Sequence, residues 1–177
     1  MQPHTPTQGY IHLYTGNGKG KTTAAIGLSV RAAGAGKRVF IGQFVKGMPY
    51  AELDALKALA SHITIRQYGR DCFINNAPTP PDIEAAQKGL AEMTAIVCSG
   101  AYDVVVLDEI CIALYYRLFS LEAVLHLIDS KPAATELVLT GRYAPRELVD
   151  RAHLVTEMQD IKHYYRQGVE ARKGIEF

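Results

Sequence analysis

The sequence predicts an α/β protein, a mainly parallel sheet of about six strands with helices on both faces. Short apolar runs alternate with longer helix-like segments from Tyr10 onward. Two of those runs are apolar almost throughout, as strands covered on both faces must be. A glycine-rich turn separates the first run from the first helix-like segment.

In chain order, residues 1–8 hold two prolines and little apolar content and read as a flexible N-terminal arm. Residues 9–177 read as a single domain. The expected strands are YIHLY (10–14), RVFIGQF (38–44), ITIRQY (63–68), VVVLD (104–108), ELVLT (136–140) and LVTEM (154–158). Alanine-rich KTTAAIGLSVRAAG is a helix that stops at Gly34-Ala35-Gly36. AELDALKALA has apolar residues at helical spacing. The helix in TPPDIEAAQKGLAEMTAIVCSG starts with Thr79 as N-cap, Pro80 at its first position and Asp82 three residues after the cap. SLEAVLHLIDS opens on a serine cap and stops before Pro132, and APRELVDRA follows the fifth strand.

A formal net charge of +1 draws the chain neither to nucleic acid nor to a membrane surface. The three cysteines are odd in number and form no C-x-x-C pair, which fits a reducing, cytoplasmic setting. No stretch approaches the roughly 18 consecutive apolar residues of a membrane span, and the N-terminus has no apolar signal-like region.

TGNGKGKTTAAIG, Thr15 to Gly27, is close to the phosphate-binding pattern G-x-x-x-x-G-K-[ST]. Thr15 stands where the first glycine belongs, with Gly16 and Gly18 beside it. A strand before and a helix after aim free backbone N–H groups and the helix dipole at an anion. Lys21 is expected on phosphate oxygens and Thr22 on a Mg²⁺ ion. The candidate nucleotide-binding set is Gly16, Asn17, Gly18, Lys19, Gly20, Lys21, Thr22 and Thr23. DVVVLDE ends a buried strand on Asp108 and Glu109, hard oxygen donors for the same ion; spacing does not decide which of them touches it. LVLTGR brings Thr140 and Arg142 to the same sheet edge, either as phosphate clamps or as a cap and a surface arginine. None of the six histidines sits in a metal-ligand cluster with another His or Cys, and His12 reads as a hydrogen-bonded core residue.

Several stretches together resemble the P-loop corrinoid adenosyltransferases: GNGKGKTTAA, VVVLDEI, LVLTGR and the C-terminal IKHYYRQGVEARKGIEF with its G-V-x-A-x-x-G-I-E-[FY] ending. QYGRDCFINN resembles that family's corrin-facing loop, and the likeness runs from Gly9 to Phe177. The resemblance implies a RecA-like P-loop fold, usually in a homodimer. It implies transfer of the 5′-deoxyadenosyl group of ATP to Co(I) of a reduced corrinoid, with Mg²⁺ and release of triphosphate, in adenosylcobalamin biosynthesis or salvage. It implies ATP held in reverse. The candidate residues for such a reaction are those read from the motifs: Lys21, Thr22 and Glu109 as catalytic, Arg142 as an ATP contact, and Thr22, Asp108 and Glu109 as metal ligands. Phe73, with Ile74 second, is the candidate corrinoid-binding wedge that strips the lower axial ligand of cobalt; some relatives carry a tryptophan in this loop, and this chain has none. A reductase is a further expected partner.

Lys162, His163 and Arg166 form a basic cluster that reads either as a solvated patch or as a contact for ATP or corrin, and LYYRLF (114–119) reads as core packing or as the lining of a dimer contact or of the corrin pocket. Two other functions fit the motifs. A P-loop ATPase would use the carboxylate after Asp108 to polarise water and yield ADP and phosphate. A non-catalytic module would bind ATP and turn nothing over.

Overall fold

The computed structural model describes residues 8–70 and 77–177. Strands β1 (Ile11–Thr15), β2 (Val39–Phe44), β3 (Ile63–Tyr68), β4 (Val104–Asp108), β5 (Glu136–Thr140) and β6 (Leu154–Glu157) form one sheet in the order β3-β2-β4-β5-β1-β6. Every pairing is parallel. The helices are α1 (Lys21–Gly34), α2 (Ala51–Lys57), α3 (Pro80–Cys98), α4 (Ile110–Tyr115), α5 (Leu121–Asp129) and α6 (Arg146–Arg151). A short 3-10 turn spans Tyr164–Gln167.

Strand periodicity sorts the core into two layers. Val104, Val106, Val39, Ile41 and Val138 point to one face and pack on Ala25, Ala32 and Ala33 of α1 and Leu56 of α2. Val105, Leu107, Phe40, Phe44, Leu137 and Leu139 point to the other face, against α3, α4, α5 and α6. Alanine on the inner side of α1 brings that helix close to the sheet, which holds its N-terminus near the end of β1. Helix α3 starts as its sequence indicates, the Thr79 amide donating to Asp82 Oδ2 at 2.8 Å. Helix α5 is capped by Ser120, whose Oγ accepts from the Ala123 amide at 3.2 Å.

The predicted elements recur with shifts of a residue or so at β1, β2 and β6 and a shortened α2, which ends at Lys57. Helix α4 is additional: at six residues it is too short to show a helical period in ICIALY. The LYYRLF stretch divides, with Leu118 and Phe119 buried and Tyr115 exposed. His12 is hydrogen-bonded as expected, its Nε2 2.5 Å from Glu136 Oε1, but it is half-buried rather than part of the core. Among the described residues no helix is long and apolar enough to cross a membrane.

Candidate phosphate and metal site

All six strands run in parallel, so their carboxyl ends share one edge, where open α/β sheets bind ligands. Four of those ends build the site. Strand β1 opens into the glycine loop, β2 leads to Lys46, β4 ends at Asp108 and β5 ends at Thr140. Together with α1, α2 and the C-terminal tail they border a cleft of about 790 Å³.

The loop needs glycine for conformation and for space. Gly16 and Gly20 have φ of 91° and 123°, and a Cβ on Gly16 would lie 2.4 Å from the Met158 carbonyl oxygen. The Gly18 amide donates to that same carbonyl at 2.6 Å, so this N–H anchors the loop to the end of β6. Helix α1 follows with no side-chain cap and no acidic residue in its first turn, leaving its first N–H groups and its dipole free for an anion. Lys21 is 6% exposed and donates to the Gly16 and Gly18 carbonyl oxygens, both at 2.7 Å. Burial pulls its ammonium below the ordinary lysine range, against the opposing charge of Glu109.

Asp108 is the hub. At 1% exposure its Oδ1 accepts from the Thr22 hydroxyl at 2.9 Å and from the Thr140 hydroxyl at 2.7 Å. Its Oδ2 accepts from Lys46 at 2.8 Å and from Gln43 at 3.2 Å. The Lys46 ammonium is opposed by burial, but Asp108 beside it raises it above the usual lysine range. Thr140 also accepts the Glu109 amide at 2.9 Å, which ties the ends of β4 and β5 together.

Glu109 differs from Asp108 in environment. It sits at φ 59° ahead of α4 and borders the cleft, and its Oε2 is buried with no hydrogen-bond partner among the described residues. Burial, then the neighbouring Asp108 charge, push its carboxyl above the usual range. A buried carboxylate oxygen without a donor fits a cation ligand. Among the described residues no three His, Cys, Asp or Glu side chains cluster as metal ligands. Thr22, Asp108 and Glu109 therefore form a partial oxygen set, of the kind Mg²⁺ uses when phosphates complete its shell.

The remaining expected residues fall out as follows. Gly18, Lys19, Gly20, Lys21, Thr22, Thr23, Glu109 and Arg142 border the cleft; Gly16 and the exposed Asn17 are not part of its lining. Lys19 is tied to the C-terminal tail, donating to the Ile175 carbonyl at 2.7 Å, to Glu176 Oε1 at 2.6 Å and to the Tyr164 hydroxyl at 3.3 Å. The basic cluster separates: His163 borders the cleft, Arg166 pairs with Asp160 at 2.8 Å, and Lys162 is exposed. Phe73 and Ile74 lie outside the described residues. Sequence reasoning passed over Gln43 and Lys46. Their one signal is position, at and just beyond the carboxyl end of a strand that feeds the same edge.

Comparison with known proteins agrees with this geometry. The family model for ATP:corrinoid adenosyltransferase BtuR/CobO/CobP matches residues 7–177. A corrinoid adenosyltransferase of Escherichia coli (strain K12) is 32% identical over 171 residues, covering 96% of this chain and 86% of that protein. Corrinoid adenosyltransferase CobA of Salmonella typhimurium is 33% identical with the same coverages. A corrinoid adenosyltransferase of Sinorhizobium sp is 35% identical, covering 100% of this chain and 84% of that protein. With a match that takes in the cradle, the acidic strand end and the tail, the chain belongs to the ATP:corrinoid adenosyltransferase family.

Proposed function

We propose that the chain transfers the 5′-deoxyadenosyl group of ATP to Co(I) of a reduced corrinoid, forming a cobalt–carbon bond and releasing triphosphate. The observation that carries this reading is the family match across residues 7–177, joined to a phosphate cradle and a partial oxygen set on one sheet edge. The electrophile is the ribose C5′, and reduced cobalt is itself a strong nucleophile. The protein's work is then to align the two and to stabilise charge on the departing triphosphate.

Each part of the edge has a share in that work. Lys21, the loop amides and the N-terminus of α1 grip the phosphate chain. Thr22 and Asp108, with Glu109 as a further oxygen, would hold the Mg²⁺ ion that neutralises triphosphate charge when bound. Arg142 adds a cation at the rim. Gly16, Asn17, Gly18, Lys19, Gly20 and Thr23 complete the ATP-binding loop, and the corrinoid-binding role is assigned to Phe73 with Ile74, which lie outside the described residues.

The same proposal places the chain in the cytoplasm, with residues 9–177 acting as one domain, as a homodimer served by a reductase. Exposed Tyr115 and Tyr143, 58% and 54% accessible, supply an aromatic surface suited to a second copy. Light scattering of purified protein tests the dimer.

Anaerobic mixing with ATP, Mg²⁺ and chemically reduced cobalamin tests the reaction. The Co(I) spectrum should convert to that of the alkyl–cobalt product with triphosphate released. ADP and phosphate as the main products, with no adenosylated corrinoid, would reject it.

A further inference from the structure

Strand β2 ends at Phe44, and Val45 follows with φ of 58°. A β-branched residue is strained in that region, and such strain persists only where the surroundings enforce it. Here the surroundings are backbone. A Cβ on Gly69 would come within 2.5 Å of the Lys46 nitrogen, and one on Gly47 within 2.4 Å of the Arg70 carbonyl carbon. The loop after β2 is thus pressed against the loop after β3. It delivers Lys46 inward, its side chain 12% exposed and its ammonium 5.1 Å from the ring centroid of Tyr50.

The ammonium ends 2.8 Å from Asp108 Oδ2 and 3.2 Å from Thr22 Oγ1. These two residues are the ones assigned above to the divalent ion. A second positive centre cannot settle on both oxygens while the first remains. A surface lysine steering ATP from a distance needs neither the strain nor the burial.

We propose that Lys46 is a tethered cation of the metal site, a positioning residue for Thr22 and Asp108. It holds the two side chains at ligand spacing and gives way when a divalent ion arrives. Because it borders the cleft, the displaced ammonium stays within reach of the phosphate chain. This rests on the reading of Thr22 and Asp108 as metal ligands.

The test uses the full chain, Mn²⁺ as the metal probe and electron paramagnetic resonance to count free ion, with and without ATP. Without nucleotide, Lys46→Met should bind Mn²⁺ at least about tenfold more tightly than wild type, because the rival charge is gone. Lys46→Arg, which keeps the charge, should show no gain. In EDTA, ATP binding followed by calorimetry should weaken about tenfold in Lys46→Met and far less with saturating Mg²⁺. If Lys46→Met melts early, millimolar Mg²⁺ alone should recover most of the lost Tm in that variant and little in wild type. Unchanged Mn²⁺ affinity, or a Tm loss that Mg²⁺ does not touch, overturns the proposal. Normal Mn²⁺–ATP binding alongside that result would leave the metal reading standing. Intact Mn²⁺–ATP binding in Asp108→Asn would sink both.

Discussion

Thr140 hydrogen-bonds to both carboxylate-bearing residues, its hydroxyl oxygen accepting from the Glu109 amide and its O–H donating to Asp108 while fully buried. Thr140→Val keeps the shape and removes both bonds, so urea unfolding should show a loss of about 1–3 kcal/mol. Lys21→Ala removes the ammonium expected on phosphate and should abolish triphosphate release while the corrinoid still binds; full turnover would contradict its role. Glu109 makes the stability of the fold depend on pH. Its native carboxyl titrates above the ordinary value of 4.5, so over the window from there upward the folded state holds more protons than the unfolded one. Stability therefore falls as pH rises through that window. Glu109→Gln should be the more stable protein at pH 8, with the advantage shrinking toward pH 4, as read from paired melting curves. Cys111 shares that buried corner, and its thiol is pushed up to about 12, so it remains protonated and inert.

Two helical glycines should respond in opposite directions. Gly27 of α1 is exposed, with nothing within 4 Å of an added Cβ, so Gly27→Ala should raise stability by about 0.5–1 kcal/mol. Gly89 of α3 is buried, and its Cβ would fall 2.5 Å from Cγ of the Tyr68 ring. Gly89→Ala should therefore cost about 1–3 kcal/mol despite the better helix former. Chemical denaturation of both variants checks the pair, and stabilisation at Gly89 would show that α3 can shift away from the sheet. The strands and the longer helices were legible because period and caps are local signals. VVVLD is apolar to its last residue, and Thr79-Pro80 with Asp82 marks the start of α3 before any contact is made. ICIALY was not legible as a helix, since one and a half turns after a left-handed Glu109 leave too few residues to show a period.

Across the whole molecule, the tail closes one side of the nucleotide cleft. Glu176 gathers Lys19 from the loop, Tyr164 from the 3-10 turn and Arg172 from the tail, and the Lys19 and Tyr164 hydrogen bonds hold its carboxyl well below the usual range. Glu176→Gln should loosen this clasp. Limited trypsin digestion should then cut after Arg172 and Lys173 several times faster than in wild type, and an unchanged rate would mean that the tail is held by its other contacts. The motif residues of the site could be read individually, because Lys21, Thr22, Asp108 and Glu109 lie in two short runs. Their convergence with Lys46 and Gln43 could not, because these lie more than 60 residues before Asp108 and approach it only through the pairing of β2 with β4.

The sequence by itself determined the alternation of strands and helices, the glycine cradle at the head of α1 and the acidic end of β4, since each is written in a contiguous stretch. Only the tertiary structure decided which strand ends meet. It placed β5 between the cradle strand and the acidic strand, and β2 on the far side of β4. That order brings a lysine with no motif of its own onto the buried carboxylate, because sheet neighbours are chosen by packing across the whole core.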